Sequence, residues 1–253
     1  MTNRALSVST GHTYEVKRFL FKFLSAVQWH VDFSSTLEYL NGIKSNKSPA
    51  YYNKQFFQIV KFLVYLDLPW AKKIEHPQTV HYTPVRVPED HLFSTAAIFK
   101  SDLQMTSLIH LGCDSGLRAE ELYQLRLEDI DLENRIVYVR CDENHHVKNN
   151  GSIRISFFTK KTAKILQKYF SEFKRQNRRR HLWNEITIEK KFRQAPIRCK
   201  LLRKVFSSRW EKNLGPSGAK AALMGHANKT VDTSHYLSLS DNELREIYDK
   251  IMR

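Results

Sequence analysis

The stretch from Glu75 to Glu89 constrains this chain more than any other. It carries Pro77, Pro84 and Pro88, and between them it alternates polar with β-branched residues. A proline ring fixes φ, removes an N–H and pushes the preceding residue out of the α region. No helix can run through the whole stretch, so the chain on either side folds as separate bodies joined by extended backbone. The expectation is one domain at 1–76, a linker at 77–89 and a second domain at 90–253. With 253 residues, each part is large enough to bury a core of its own.

On the N-terminal side every periodic signal is helical. Val16, Phe19, Leu20, Phe23, Leu24 and Val27 recur at three- and four-residue steps, which predicts a helix over 13–31 with Lys17, Arg18 and Lys22 on its wet side. After Asp32-Phe33-Ser34-Ser35, where a serine can cap the next start, a short helix is expected over 36–43. The segment 46–49 breaks it. A longer helix follows over 50–68, with Phe56, Ile59, Val60, Phe62, Leu63 and Leu66 on its apolar side. The first domain is therefore read as all-α. Tyr51, Tyr52 and Phe56 are read as core residues and not as base-stacking ones.

The second domain opens with helical patterns at 90–100, 103–114 and 118–125. The period then changes. Arg135-Ile136-Val137-Tyr138-Val139-Arg140 and Ser152-Ile153-Arg154-Ile155-Ser156-Phe157-Phe158 alternate and are β-branched, and the polar segment 141–151 lies between them. This is the pattern of a β-hairpin with a long tip. Helical patterns resume at 160–174, 187–193, 200–213, 217–224, 230–236 and 241–252. The fold class is mainly α with a small antiparallel β-sheet, an α+β domain behind an all-α one.

Charge narrows the partner. The net charge of +15 favours a polyanion, and both halves are basic, with 10 basic and 5 acidic residues in 1–78 and 31 and 21 in the rest. An unspecialised basic surface is the competing reading. No run of about 18 apolar residues is present, so no membrane span is expected. Met1-Thr2-Asn3-Arg4-Ala5-Leu6 has no apolar core of a secretory signal, which makes a cytoplasmic, nucleoid-associated location the default. Cys113, Cys141 and Cys199 are odd in number and widely spaced, so they read as free thiols. His145-His146 lacks a carboxylate or cysteine at coordinating spacing on a rigid element, so no metal site is expected.

Three stretches carry candidate chemistry. In Gly116-Leu117-Arg118-Ala119-Glu120-Glu121-Leu122 a glycine ends one helix and an arginine opens the next, with Glu121 three residues on. In Lys200-Leu201-Leu202-Arg203 two cations share the face of a helix start. In Leu223-Met224-Gly225-His226 a histidine follows a helix-ending glycine, and Tyr236 lies ten residues beyond. The last pair alone reads as a surface histidine and a core aromatic, or as an imidazole and a phenol at one small site.

Taken together and in this order, the three stretches resemble those of the tyrosine recombinases, the phage integrase family, and the resemblance covers nearly the whole chain. It implies a helical core-binding domain that clamps DNA, followed by a catalytic domain. It implies site-specific strand exchange on double-stranded DNA in a homo-oligomer, a tetramer at synapsis, with no cofactor and no metal. Arg118 and Arg203 would be the phosphate clamp, since planar guanidiniums match two phosphate oxygens. Tyr236 would be the nucleophile, forming a 3′-phosphotyrosyl bond. Glu121 would orient Arg118 from behind.

The family takes the leaving-group proton from a hairpin lysine. Lys148 is the only lysine in 141–151 and is the candidate general acid, with Lys160 and Lys161 as the fallback. His226 would donate to a non-bridging oxygen or help move the tyrosine's proton. Lys200 stands where most members have histidine. A lysine donates to phosphate but is a poor proton acceptor near neutral pH, and the same substitution occurs in an archaeal virus and plasmid branch. Lys160, Lys161, Arg178, Arg179 and Arg180 are candidate phosphate contacts, because residues 168–212 hold 15 basic and 4 acidic side chains. A type IB topoisomerase and a DNA-binding relic without cleavage are the alternatives.

Overall fold

The computed structural model describes residues 10–75, 77, 86–140, 153–176, 181–226 and 239–252. The chain forms two compact units, Met1–Pro84 and Val85–Arg253.

Among the described residues the first unit holds three α-helices, α1 (Thr10–Ala26), α2 (Phe33–Asn46) and α3 (Pro49–Tyr65). Their starts are written locally. Asp32 accepts from the Ser35 amide at 3.0 Å and caps α2, so the cap is the aspartate before the expected serine and the helix begins earlier than its periodicity suggested. Ser48 caps α3 with Pro49 at the first helical position, where a missing N–H costs nothing. Phe23 of α1 and Val27 just past its end pack with Leu40 of α2 and with Phe56, Ile59, Val60 and Leu63 of α3, and the buried Phe19 meets Tyr51 of α3 edge-on at 5.7 Å. Leu66, expected on the apolar side, is exposed, because α3 ends before it.

The second unit is built around α5 (Leu103–Ser115), which is preceded by α4 (Glu89–Ile98) and followed by the short α6 (Ala119–Gln124). A three-stranded antiparallel sheet follows in the order β1 (Ile130–Asp131), β2 (Ile136–Val139), β3 (Arg154–Phe157). The pairing runs from Ile136 opposite Phe157 to Val139 opposite Arg154. The expected hairpin therefore gains a short edge strand. Arg135, expected in a strand, instead takes a left-handed φ of 54° in the turn before β2. Asp131 closes that turn by accepting from the backbone and side-chain nitrogens of Asn134.

Among the described residues five further helices follow: α7 (Lys160–Gln176), α8 (Glu185–Phe192), α9 (Leu202–Lys212), α10 (Ser217–Met224) and α11 (Asp241–Ile251). Leu108 and Leu111 of α5 share a core with Leu166, Trp183, Phe192 and Leu202. A second cluster joins Phe157, Phe206, Trp210, Leu223 and Tyr248, and so fastens β3, α9, α10 and α11 together. The helix expected at 230–236 lies outside the described residues. No described helix is long and apolar enough to cross a membrane.

Candidate active site

Two helix ends meet where the site forms. The last four carbonyls of a helix have no partner within it, and both α5 and α10 stop at a glycine in the left-handed conformation. These are Gly116 and Gly225, each with φ of 65°. At α10 the Gly225 amide donates to Ala222 O at 3.1 Å and the His226 amide to Ala221 O at 3.0 Å, the paired bonds of a Schellman ending.

The remaining carbonyls are taken by side chains from distant parts of the chain. At the end of α5, Asp114 O accepts from the Tyr248 hydroxyl at 3.0 Å, Ser115 O from Ser156 Oγ at 2.7 Å and Gly116 O from Arg203 Nη1 at 2.7 Å. At the end of α10 all three donors are guanidiniums. Leu223 O accepts from Arg154 Nε at 2.9 Å, Met224 O from Arg203 Nη2 at 2.9 Å and Gly225 O from Arg118 Nη2 at 3.4 Å. The negative ends of the two helices thus gather the cations, and Arg203 bridges both.

Arg118 precedes α6, and its own amide donates to Glu121 Oε2 at 2.7 Å while Nη1 donates to Oε1 at 2.9 Å. Glu121 thus meets Arg118 at both its backbone and its side chain. Arg154, which sequence reasoning passed over as a strand residue, makes the other half of the arrangement. Its Nη1 and Nη2 donate to Oε1 and Oε2 of Glu121 at 3.1 and 2.8 Å. Burial would push the Glu121 carboxyl up, but the bond and charge of Arg154, then those of Arg118, outweigh it and hold the group below the usual carboxylate range.

Three guanidiniums stand against one carboxylate, and the excess charge shows in its neighbours. Burial, then the nearby Arg118, lowers Arg203 to about 10. Burial, followed by the charges of Arg203 and Arg118, lowers His226. His226 Nε2 lies 2.8 Å from Arg203 Nη2. Arginine can only donate, so Nε2 accepts and the proton of the neutral ring sits on Nδ1. A guanidinium has five N–H groups; the bonds above use two on Arg118 and three on Arg203. Among the described residues these bonds leave three N–H groups of Arg118 and two of Arg203 without an acceptor.

Of the other sequence-picked residues, some lie among the described residues and some outside them. Lys200 lies in a short 3-10 turn, Cys199–Leu201, just ahead of α9, and is exposed, so the expected helix start at 200 is corrected to Leu202. Lys160 and Lys161 open α7 and line a cleft of about 1030 Å³ with His110, Asp114, Arg135 and Arg209, a cleft that includes none of Arg118, Lys200, Arg203 and His226. Cys113 and Cys199 are buried free thiols, each pushed up to about 12 by burial. Lys148, Tyr236, Arg178, Arg179, Arg180, Cys141 and His145-His146 lie outside the described residues. No group of three or more His, Cys, Asp or Glu that could hold a metal occurs among the described residues.

The helical domain with its small sheet thus gathers three half-buried arginines, two of them sharing Glu121, beside His226, a donor set of the kind that suits an anion. Sequence comparison agrees with that class: the profile of the phage integrase family matches residues 89–243, and the chain belongs to that family. The tyrosine recombinase XerA of Saccharolobus solfataricus is 33% identical over 152 residues, 57% of this chain and 49% of the relative. The chain therefore spans about half the length of the curated relative it matches. Among solved structures, the Tn1549 transposon integrase in complex with circular intermediate DNA has a TM-score of 0.64 at 16% identity, covering 95% of this chain and 94% of that one. A lambda integrase dimer bound to a core site has a TM-score of 0.63 at 13% identity, covering 92% and 90%. These two likenesses bear on the fold.

Proposed function

We propose that this chain is a site-specific DNA recombinase that cleaves and rejoins duplex DNA through Tyr236. The observation that supports it best is the braced pair Arg118 and Arg203, which keeps N–H groups in hand for a phosphate between two helix ends. Attack by a phenol oxygen on a phosphodiester builds negative charge on the phosphoryl oxygens, and donors already fixed in place stabilise that charge without reorganising. In this reading Arg118 and Arg203 grip the non-bridging oxygens, and Lys200 adds a third cation from the turn before α9. His226 donates through Nδ1, since Nε2 is engaged by Arg203. The Tyr236 oxygen gives up its proton to solvent water and bonds to phosphorus as the P–O bond to the 5′ oxygen breaks and that oxygen departs with a proton from Lys148; attack by another strand's 5′ hydroxyl reverses each transfer, frees the phenol and reseals the DNA.

The first unit is the core-binding domain and the second the catalytic one, joined by the proline-bearing linker. Arg178, Arg179 and Arg180 contact phosphates, which set position more than sequence choice. Strand exchange takes place in a homotetramer on its attachment sites. Carriage by a mobile element of an archaeon agrees with Lys200 and with the archaeal relative, and the place of work is the nucleoid.

The test uses nicked suicide duplexes tiled across both ends of the genetic element that encodes the chain. The expected result is a covalent protein–DNA adduct on a denaturing gel with the wild type and none with Tyr236→Phe. An adduct that survives the substitution places the nucleophile elsewhere. No wild-type adduct on any duplex supports binding without cleavage, and plasmid relaxation without strand exchange supports the topoisomerase reading.

A further inference from the structure

We propose that Arg154 is a positioning residue for the phosphate clamp: by sharing the Glu121 carboxylate with Arg118 and anchoring on Leu223 O, it fixes Arg118 without neutralising it. The inference rests on the recombinase reading for its consequence in catalysis, although the pairing itself is a property of the folded chain.

Two features separate Arg154 from the arginines that face a ligand. Its side chain is only 8% exposed and that of Glu121 6%, so it works through Glu121 and not on DNA. Glu121 also receives four N–H groups, two from Arg118 and two from Arg154. A carboxylate offers about four acceptor sites, so its capacity is filled. A lone Glu121–Arg118 pair would also hold Arg118 still, but with zero net charge where an anion must bind. Adding Arg154 leaves the braced trio one charge positive.

The backbone has made room for this arrangement. A Cβ on Gly225 would lie 2.8–2.9 Å from the Arg154 guanidinium, so α10 ends in a residue that lets the side chain pass. Arg154 is the first residue of β3 and pairs with Val139, the last of β2. The end of the sheet formed by Val139 and Arg154 is therefore tied to the arginine cluster through Arg154 itself.

The charged and titratable groups around Glu121 are Arg118 just before α6, Arg154 on β3, Arg203 on α9 and His226 after α10. Asp129, Tyr138 and Arg140 line a small hollow with Glu121 on its other side, Asp129 being paired with Arg140 at 3.1 Å. Of these, Arg154 contributes most to keeping Glu121 ionised. Without it the carboxyl titrates at higher pH, and once protonated it no longer holds Arg118 by charge.

The experiment uses the full chain, the suicide duplex on which the wild type forms its adduct, and the variants Arg154→Met and Arg154→Lys. Single-turnover cleavage by Arg154→Met is expected to slow on the order of 100-fold at pH 7.5, the scale of a misplaced reacting group, with Kd for the same duplex unchanged. The acidic limb of its rate–pH curve is expected to move to higher pH. Arg154→Lys supplies the charge but only part of the hydrogen bonding, so it should return the limb towards its wild-type place while the rate stays below wild type. Wild-type cleavage by a folded Arg154→Met, an unmoved acidic limb, or a loss confined to Kd would each overturn the proposal.

A protein-only cycle covers the case in which the wild type forms no adduct, which would end the recombinase reading alone. In urea unfolding the double variant Glu121→Gln, Arg154→Met should be more stable than the two single losses sum to, because removing one partner strands a buried charge. Additive losses would show that the two residues are not coupled and would overturn the proposal by themselves.

Discussion

Replacing Gly225 with alanine tests the claim that the end of α10 is shaped around the arginine cluster. Two costs are expected. A left-handed φ of 65° carries a penalty of roughly 1–2 kcal/mol for a residue with a Cβ. The new methyl would stand 2.8–2.9 Å from Nη1, Cζ and Nε of Arg154, and crowding of this kind in a packed region costs about 1–3 kcal/mol. The sum is about 2–5 kcal/mol, which for a unit of this size lowers Tm by about 4–20 °C. Gly225→Asn separates the two parts. Asparagine tolerates the left-handed region but keeps the Cβ, so it should recover about 1 kcal/mol of the loss and leave the crowding. Urea unfolding followed by tryptophan fluorescence reports on this unit through the buried Trp183 and Trp210. A Gly225→Ala midpoint equal to wild type would refute the reasoning. An asparagine variant less stable than the alanine one would refute its conformational half.

Tyr248→Phe should cost about 1–3 kcal/mol, because the buried Asp114 carbonyl at the end of α5 loses its donor and is left unpaired; a change in urea midpoint near zero would show that another group takes the place. His226 has a lowered pKa in the folded protein, so the unfolded chain binds more protons as pH falls. The stability from its neutral form is complete above about pH 6.5 and is lost as pH falls through the folded value. His226→Asn should therefore flatten the fall in urea midpoint between pH 7.5 and 5, and an unchanged slope would assign that fall to other groups. Lys148→Ala should abolish adduct formation on an ordinary suicide duplex and regain it when the bridging 5′ oxygen is sulfur, which leaves without protonation. If sulfur gives no rescue, the proton comes from another group.

What the sequence determined by itself lies within four or five residues of where it is written. Asp32, Ser48, Asp102 and Asn184 cap the helices that follow them, and Gly116 and Gly225 end the helices before them. The two compact units divide between Pro84 and Val85. The Arg118–Glu121 contact spans three residues on one helix start, so it was legible as spacing. The ten-residue step from His226 to Tyr236 was legible only as a pattern, and the role of Tyr236 stays with the proposed chemistry.

Tertiary structure decided what the cations do. Arg203 reaches Gly116 O across 87 positions, Arg118 reaches Gly225 O across 107, and Arg154 reaches Glu121 across 33. No local rule links such pairs. An alternating strand pattern marks Arg154 only as one of two faces, and its burial against a carboxylate follows from the register of β3 and the missing Cβ of Gly225. Lys200 shows the converse: its spacing from Arg203 placed it on the same helix face, and the fold put it on an exposed turn ahead of the helix. Hydrogen-bond and charge complementarity between elements far apart in the chain exists only once packing has brought two orphaned helix ends together, and it is those ends that assemble the arginines into a site.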